Sequence, residues 1–236
     1  MKKLAATIAV TAGLSLAMMG TASAASLGHP KSHPKPKAVT QLTGKQLAKA
    51  LLPGSAFGFG DTTHEEADTG KHLVSTHGSV SAFPCADLLG VPLAGQTAVA
   101  ANSMASDGSD FGTQSISQFG SGSTAWWYYG QLKAKFNSCV SYSGTSKGSD
   151  QTGPLSLSID LQSVSNTKVG SNSAFTVTQV VEVSDSFGDA TESLNTTVVS
   201  SGRDVYTIWE MNTANTQIPN SLLSSLISRT QALYKG

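Results

Sequence analysis

A short stretch around residue 70 combines imidazole and carboxylate side chains, the types that ligate zinc. It contains His64, Glu65, Glu66, Asp68, His72 and His77. Zinc sites take their ligands from residues that are closely spaced on one turn or one face. The histidines here are eight and five positions apart, which does not hold the donors together. The sequence therefore favours a solvated loop and predicts no metal site.

Two short glycine motifs resemble cofactor or catalytic patterns but lack the residues that must accompany them. GSGSTA, residues 120–125, fits the dinucleotide-binding pattern, which requires a parallel βαβ unit and an acid about 20 positions later. GTSKG, residues 144–148, is expected to lie in a polar loop beyond the helix. It fits the nucleophile elbow, which lies between a strand and a helix and whose histidine follows the serine along the chain. After Asp110 the next acid is Asp150, and no histidine follows His77. We predict no cofactor and no catalytic residue.

Four consecutive aromatic residues, WWYY at 126–129, could belong either to a ligand site or to a core helix. An apolar stripe at helical period predicts an amphipathic helix from Trp126 to Cys139 that packs on a sheet. The stripe consists of Ala125, Tyr129, Leu132, Phe136 and Cys139. Trp and Tyr usually serve the core, but they also line ligand clefts. Because four in a row cannot all face inward, one or two should reach the surface, and the candidate cleft aromatics are Trp126, Trp127 and Tyr128.

Alternating polar and apolar residues from 154 to 211 predict the sheet on which this helix packs. PLSLSIDL alternates strictly, and FTVTQVVEV, LNTTVVS and DVYTIWEM follow it between turn sequences. Residues 97–119 have the pattern of a hairpin around a turn at 107–110. No helix separates the strands of the longer run, so their pairing should be antiparallel. The predicted fold class is α+β: a twisted, mostly antiparallel sheet with helices packed on it, in a single domain.

Two more helices are predicted near the ends of this domain. LTGKQLAKALLPG has Thr43 as an N-cap, and Pro53 and Gly54 end the helix. IPNSLLSSLISRTQALYK has an apolar stripe at helical period, with Asn220 or Ser221 as its cap. Residues 55–83, rich in Gly, Asp and Glu, are expected to be irregular.

The N-terminus has the three parts of a secretory signal peptide. A basic start is followed by an apolar stretch and then by small residues in the A-x-A pattern, which predicts cleavage between Ala24 and Ala25. We therefore divide the chain into a signal peptide at 1–24, a Pro- and Lys-rich linker at 25–39 and a domain at 40–236. The expected location is extracellular, and the lysines of the linker leave an association with the cell wall open.

Charge and hydropathy exclude several classes of partner. Cleavage after residue 24 removes two lysines and leaves 13 basic against 15 acidic side chains. The folded part has no basic stripe of the kind that a phosphate backbone requires, so we do not expect nucleic acid binding. No second apolar segment as long as the signal sequence follows it, so we expect no membrane span in the mature chain.

The two cysteines of the chain are Cys85 and Cys139. In an oxidising compartment, two cysteines most simply form one disulfide. Their separation lacks the C-x-x-C arrangement that tunes redox cysteines, which disfavours a reactive thiol pair. We predict a structural Cys85–Cys139 disulfide at the C-terminal end of the aromatic helix.

The domain resembles the PknH-like extracellular sensor domain, found outside mycobacterial Ser/Thr kinases and in exported actinobacterial proteins. The resemblance spans about residues 40–235. It depends on LTGKQLAKALLPG, on PCADLLG, on ISQFGSGSTAWWYYGQLKAKFNSC and on VVSSGRDVYTIWEM before a terminal helix. The resemblance implies an antiparallel sheet with helices packed on it and a cleft for an extracellular ligand. The family has no established catalytic residues to carry over, and its members often have a second cystine, which this chain lacks.

Three functional classes follow from these observations. The first is a secreted binding or sensor-like domain that captures a small molecule, a glycan or a cell-envelope ligand in a cleft. The second is an interaction module that docks an envelope or receptor protein. The third is a hydrolase with an unrecognised site, which the position of the histidines disfavours. An exposed aromatic cleft would favour the first, and a flat apolar patch the second.

Overall fold

Eight strands in the described part of the chain form one antiparallel sheet. The structure, a computed structural model, describes residues 41–58, 66–72, 98–106, 111–146, 155–185, 188–212 and 217–235. The strand order is β1-β2-β3-β8-β7-β6-β5-β4, and every described pairing is antiparallel. The strands are β1 (Glu66–His72), β2 (Ala98–Ser106), β3 (Phe111–Gln118), β4 (Ser141–Ser146), β5 (Leu155–Val169), β6 (Asn172–Asp185), β7 (Gly188–Ser201) and β8 (Asp204–Asn212).

Three α-helices of the described residues pack on this sheet. They are α1 (Gly44–Ala48), α2 (Gly122–Ser138) and α3 (Asn220–Leu233), and a 3₁₀ turn covers Gly54–Phe57. Thr43 caps α1 in a reciprocal capping box with Gln46, because each side chain accepts from the other's backbone N–H. The predicted α+β fold class, an antiparallel sheet with helices packed on it, is confirmed.

The alternation of side chains along each strand divides the core into two apolar clusters on opposite faces. On β7, Val198 belongs to the cluster under α2, whereas its neighbour Val199 belongs to the cluster under α1 and α3. On β6, Phe175 and Ala174 divide in the same way. Successive strand residues point to opposite faces, so these strands are covered on both sides. The sheet is therefore the middle of three layers where β6, β7 and β8 meet the helices.

Two glutamines of β3 attach the segment around α1 to the sheet. The side-chain amide of Gln114 accepts from the N–H of Leu52 at 2.9 Å and donates to its C=O at 2.6 Å. The Oε1 atom of Gln118 accepts from the N–H of Leu42 at 2.8 Å. From α3, Arg229 donates through Nε to the C=O of Ala50 at 2.9 Å. These bonds satisfy buried backbone groups around α1 that a five-residue helix leaves without intrahelical partners.

Three local predictions were wrong. Residues 66–72 form the edge strand β1 within the region expected to be irregular. The stretch GTSKG, expected to be a polar loop, begins inside β4. Neither Asn220 nor Ser221 caps α3; the N-cap position is Pro219, which makes no side-chain capping bond. In the first two cases the polar composition suggested a loop. Both segments are edge strands, β1 and β4, and an edge strand needs less apolar surface than a central one.

Candidate functional site

Helix α2 begins earlier than the aromatic stretch suggests and presses against a turn of the sheet. The Oγ atom of Ser121 accepts from the N–H of Thr124 at 3.1 Å and caps the helix. A Cβ atom on Gly122 would lie 3.1 Å from the C=O of Gly202, in the turn between β7 and β8. The glycine thus allows a close approach of two backbones. That contact fixes the first turn of α2, and with it the direction of the following aromatic residues.

The inward face of α2 packs its aromatic rings on the sheet. Tyr128 is 2% exposed and lies with its ring centroid 4.9 Å from that of Phe119. The rings of Tyr129 and Phe136 lie 5.2 Å and 5.9 Å from the ring of Phe175 on β6. Burial raises the pKa of the Tyr128 hydroxyl well above its ordinary value. These contacts make Tyr128 a core residue, although the sequence had grouped it with the candidate cleft aromatics.

The outward face of the same helix presents two tryptophans. Trp126 is 55% exposed and Trp127 is 42% exposed. The ring of Trp126 stacks on that of Tyr129, with centroids 5.1 Å apart and planes inclined by 19°. Because Tyr129 is itself packed on Phe175, this stack connects an exposed indole to the core. The ring of Trp126 therefore has one supported face and one exposed side.

A glycine and two lysines follow the two tryptophans along α2. A Cβ atom on Gly130 would meet nothing within 4 Å. Further along, Lys133 donates through Nζ to the Oδ1 atom of Asn166 on β5. The helix contains Lys133 and Lys135 and no acidic residue. We call the surface formed by Trp126, Trp127, Gly130 and Lys133 the α2 surface. It combines flat apolar rings, open space and a cation, the features of a site for a ligand with both an apolar face and acceptor groups.

Of the remaining residues singled out from the sequence, some lie within the described residues and others lie outside them. Cys139 is 1% exposed and occupies the C-cap position of α2. Its predicted partner Cys85 lies outside the described residues, so the pairing stays a prediction. The signal-peptide cleavage site at Ala24 and Ala25 also lies outside them, as does His64. Within the described ranges, no group of three or more His, Cys, Asp and Glu side chains could hold a metal ion.

A buried carboxylate on the other face of the sheet is a second candidate, which sequence patterns did not reveal. Asp204 is 3% exposed, and burial raises its pKa to about 6 against the opposing effect of hydrogen bonds. A raised carboxyl pKa is a frequent property of catalytic acids. Here, however, the carboxylate accepts from the hydroxyls of Tyr234 and Tyr206, and Gln118 donates to the Tyr234 hydroxyl. Asp204 therefore joins α3, β8 and β3 inside the domain rather than facing a ligand.

In the described residues, no helix is both long and apolar enough to cross a membrane. No protein-family model matches the chain, and no curated protein matches it in sequence. Among solved structures, the extracellular domain of PknH from Mycobacterium tuberculosis matches with a TM-score of 0.54 at 11% identity, over 84% of this chain and 100% of that chain. This chain has the fold of the PknH extracellular domain.

A second solved structure gives a much weaker match. It is an uncharacterised protein from Mycobacterium smegmatis, the Rv0999 ortholog, with a TM-score of 0.36 at 12% identity, over 78% of this chain and 95% of that chain. That likeness carries no argument about the fold. The match to the PknH domain establishes a shared architecture.

Proposed function

We propose that this protein is a secreted, sensor-like binding domain that captures a small molecule, a glycan or another cell-envelope ligand. The observation that carries the proposal is the exposure of Trp126 and Trp127 on a helix whose other aromatic residues are buried. The likeness of the fold to an extracellular domain supports it. So does the signal peptide predicted from residues 1–24.

The energetics of exposed tryptophan favour binding over a purely structural role. Burial of a large apolar side chain contributes about 1.5–3 kcal/mol to folding, and α2 achieves such burial for Tyr128, Leu132 and Phe136. The two indoles, at 55% and 42% exposure, forgo about half of that contribution. Tryptophan at a surface is typical of binding sites, because it offers a large contact area with little conformational entropy to lose.

A protein-interaction module is the second candidate, and one further observation favours it. Val140, which follows α2, is 61% exposed. In the described part of the chain, the exposed large hydrophobic residues are Val140 and the two tryptophans. A protein partner lying along α2 would contact the tryptophans near its beginning and Val140 at its end. A small ligand at the tryptophans would not reach Val140.

The test uses the mature chain, residues 25–236, and an insoluble cell-envelope fraction from an actinobacterium. We expect the protein to sediment with the envelope, and the double variant Trp126→Ala/Trp127→Ala to bind at least about tenfold more weakly. The matched control is Lys135→Ala, which changes the same helix without removing an indole. A double variant that binds as tightly as the unmodified protein would contradict the proposal.

The same experiment separates the two candidates. Val140→Ser should leave the sedimentation unchanged if the ligand is a small molecule or a glycan. Equal losses from Val140→Ser and from the tryptophan variant would favour the protein-interaction module, as would abolition of binding when the envelope is treated with protease.

A further inference from the structure

We infer that Trp126, Gly130 and Lys133 form a subsite for an acidic disaccharide unit, laid along the edge of α2. This inference depends on the proposed binding function and specifies its ligand. Residues at positions i, i+4 and i+7 lie on the same side of an α-helix. With a rise of 1.5 Å per residue, Trp126 and Lys133 are about 10 Å apart along the helix axis. Two linked pyranose rings span such a length.

The first ring position is the exposed side of Trp126. The indole is held nearly parallel to Tyr129, with planes inclined by 19°, and Tyr129 is packed on Phe175. A supported aromatic plane is preorganised, so binding loses little side-chain entropy. The C–H face of a pyranose packs on such a plane while its hydroxyl groups remain directed toward water and polar side chains. An acyl chain or an apolar peptide would gain no comparable advantage from the flat, single ring.

The second ring position is above Gly130. The presence of glycine at this helical position supports a close approach of the ligand. Nothing lies within 4 Å of the position of its Cβ atom, and its backbone is helical. Neither packing nor conformation therefore requires glycine there, yet glycine inside a helix costs about 1 kcal/mol relative to alanine. A ligand that approaches the helix backbone closely gives this residue a function, because any side chain would hold the second ring away.

The position of Lys133 beside Asn166 indicates that the ligand carries an acidic group. The Nζ atom of Lys133 donates to the Oδ1 atom of Asn166, which holds the ammonium group beside β5. An ammonium group has three donors, so two remain beyond this bond to meet a carboxylate. No acidic residue lies on α2 to compete with the ligand, and Lys135 adds a second positive charge to the helix. A uronate-type carboxyl on the second ring is the group that this arrangement complements.

The test compares two disaccharides that differ only at C6 of one ring, where cellobiouronic acid has a carboxylate and cellobiose a hydroxymethyl group; glucuronate is the single-ring control. Binding is followed through the indole N–H resonances of the isotopically labelled mature protein. We expect cellobiouronic acid to shift the Trp126 signal and to bind about fivefold to tenfold more tightly than cellobiose. Glucuronate alone should bind more weakly than either disaccharide, because it occupies one ring position only.

Single variants test the contribution of each part of the subsite to the binding affinity. Trp126→Ala and Gly130→Leu should each weaken binding of cellobiouronic acid by about tenfold. Lys133→Gln should reduce it to the level of cellobiose. Gly130→Leu places a good helix former at an exposed position, and its circular dichroism will show that the helix persists. Lys45→Gln, on α1 at the opposite face of the sheet, is the matched control for charge and should change affinity by less than about twofold.

Two results would overturn the subsite. One is the absence of any shift at Trp126 with both disaccharides, and the other is unchanged binding in Gly130→Leu. If either occurs while the envelope fraction still requires the two tryptophans, the acidic-disaccharide assignment fails and the proposed binding function stands. If the envelope fraction is also bound without the tryptophans, both fail.

Discussion

The hydroxyl of Tyr234, at the end of α3, lies 2.8 Å from Oδ1 and 2.9 Å from Oδ2 of Asp204, at the start of β8. Gln118 donates to the same hydroxyl from β3, and the hydroxyl of Tyr206 lies 3.3 Å from Oδ2 of Asp204. The carboxylate thus accepts from two tyrosines in the interior. This arrangement holds the C-terminal helix to the sheet and gives the domain a pH-dependent component of stability.

The free energy of unfolding should decrease as pH rises through the pKa of Asp204. Burial raises that pKa from 3.8 to about 6 in the folded protein, so folding favours the protonated carboxyl. The contribution is fully present below about pH 4 and is lost above about pH 6, with a magnitude of about 3 kcal/mol. Chemical denaturation between pH 4 and pH 7 will measure it in the unmodified protein and in Asp204→Asn.

The comparison isolates Asp204 from the other groups that titrate in this range. Arg203 is the charged neighbour whose positive charge opposes the pKa shift, and it is unchanged in the variant. We expect Asp204→Asn to lack the decrease in stability between pH 4 and pH 7. Identical pH profiles for the two proteins would show that the carboxyl does not titrate in this way.

Replacement of Gln114 by glutamate should release the segment around α1. The amide of Gln114 both accepts from and donates to the backbone of Leu52. A carboxylate keeps the acceptor but directs a negative oxygen at the C=O of Leu52. The loss of a buried hydrogen bond of this kind costs about 1–3 kcal/mol. Hydrogen exchange at the Leu52 amide should accelerate, whereas the exposed Gln217→Glu change should leave it unaltered; equal exchange in both variants would contradict the prediction.

Two glycines should respond to alanine in opposite directions. A Cβ atom on Gly112 would lie 2.8 Å from Cδ1 of Phe57, whose ring packs against the core under α1 and α3. Gly112→Ala should therefore destabilise the domain by about 1–3 kcal/mol. Gly130→Ala, in open space on α2, should stabilise it by about 1 kcal/mol. Thermal unfolding of both variants checks the pair, and a stabilising Gly112→Ala would contradict the contact with Phe57.

The Cys85–Cys139 disulfide predicted from the sequence should constrain a loop of about 55 residues and contribute at most about 4 kcal/mol to stability. Cys139 lies buried at the C-terminal end of α2, where such a bond would hold the helix end. Titration of the unfolded, unreduced protein should detect no free thiol, and reduction should lower the melting temperature by several degrees. Two free thiols in the secreted protein, or an unchanged melting temperature, would disprove the bond.

The sequence predicted the elements with strong periodicity and failed where polar residues are structural. The alternation from 154 to 211 corresponds to β5 through β8, and the apolar stripe from Ala125 to Cys139 is buried as expected. The strand β1 was missed because its sequence, EADTGKH, has no alternation of apolar residues. The buried Gln114, Gln118 and Asp204 were missed because their partners come from distant parts of the chain, which no local pattern reveals.

The candidate site could be predicted only in part, for a related reason. Four consecutive aromatic residues on a helix must include some that face outward, and Trp126 and Trp127 do. Which two are exposed depends on the exact phase of the helix. Ser121 and the contact between Gly122 and the Gly202 turn set that phase, and the turn is some 80 residues further along the chain.

Tryptophan indole resonances give the most direct test of the claim that the α2 surface binds the extracellular ligand. The chain has three tryptophans, and Trp209, in the interior strand β8, is an internal control for Trp126 and Trp127. A soluble envelope fraction that binds the mature protein should shift the N–H signals of Trp126 and Trp127 and leave that of Trp209 in place. Backbone shifts elsewhere in the domain, with the signals of Trp126 and Trp127 unmoved, would contradict the claim.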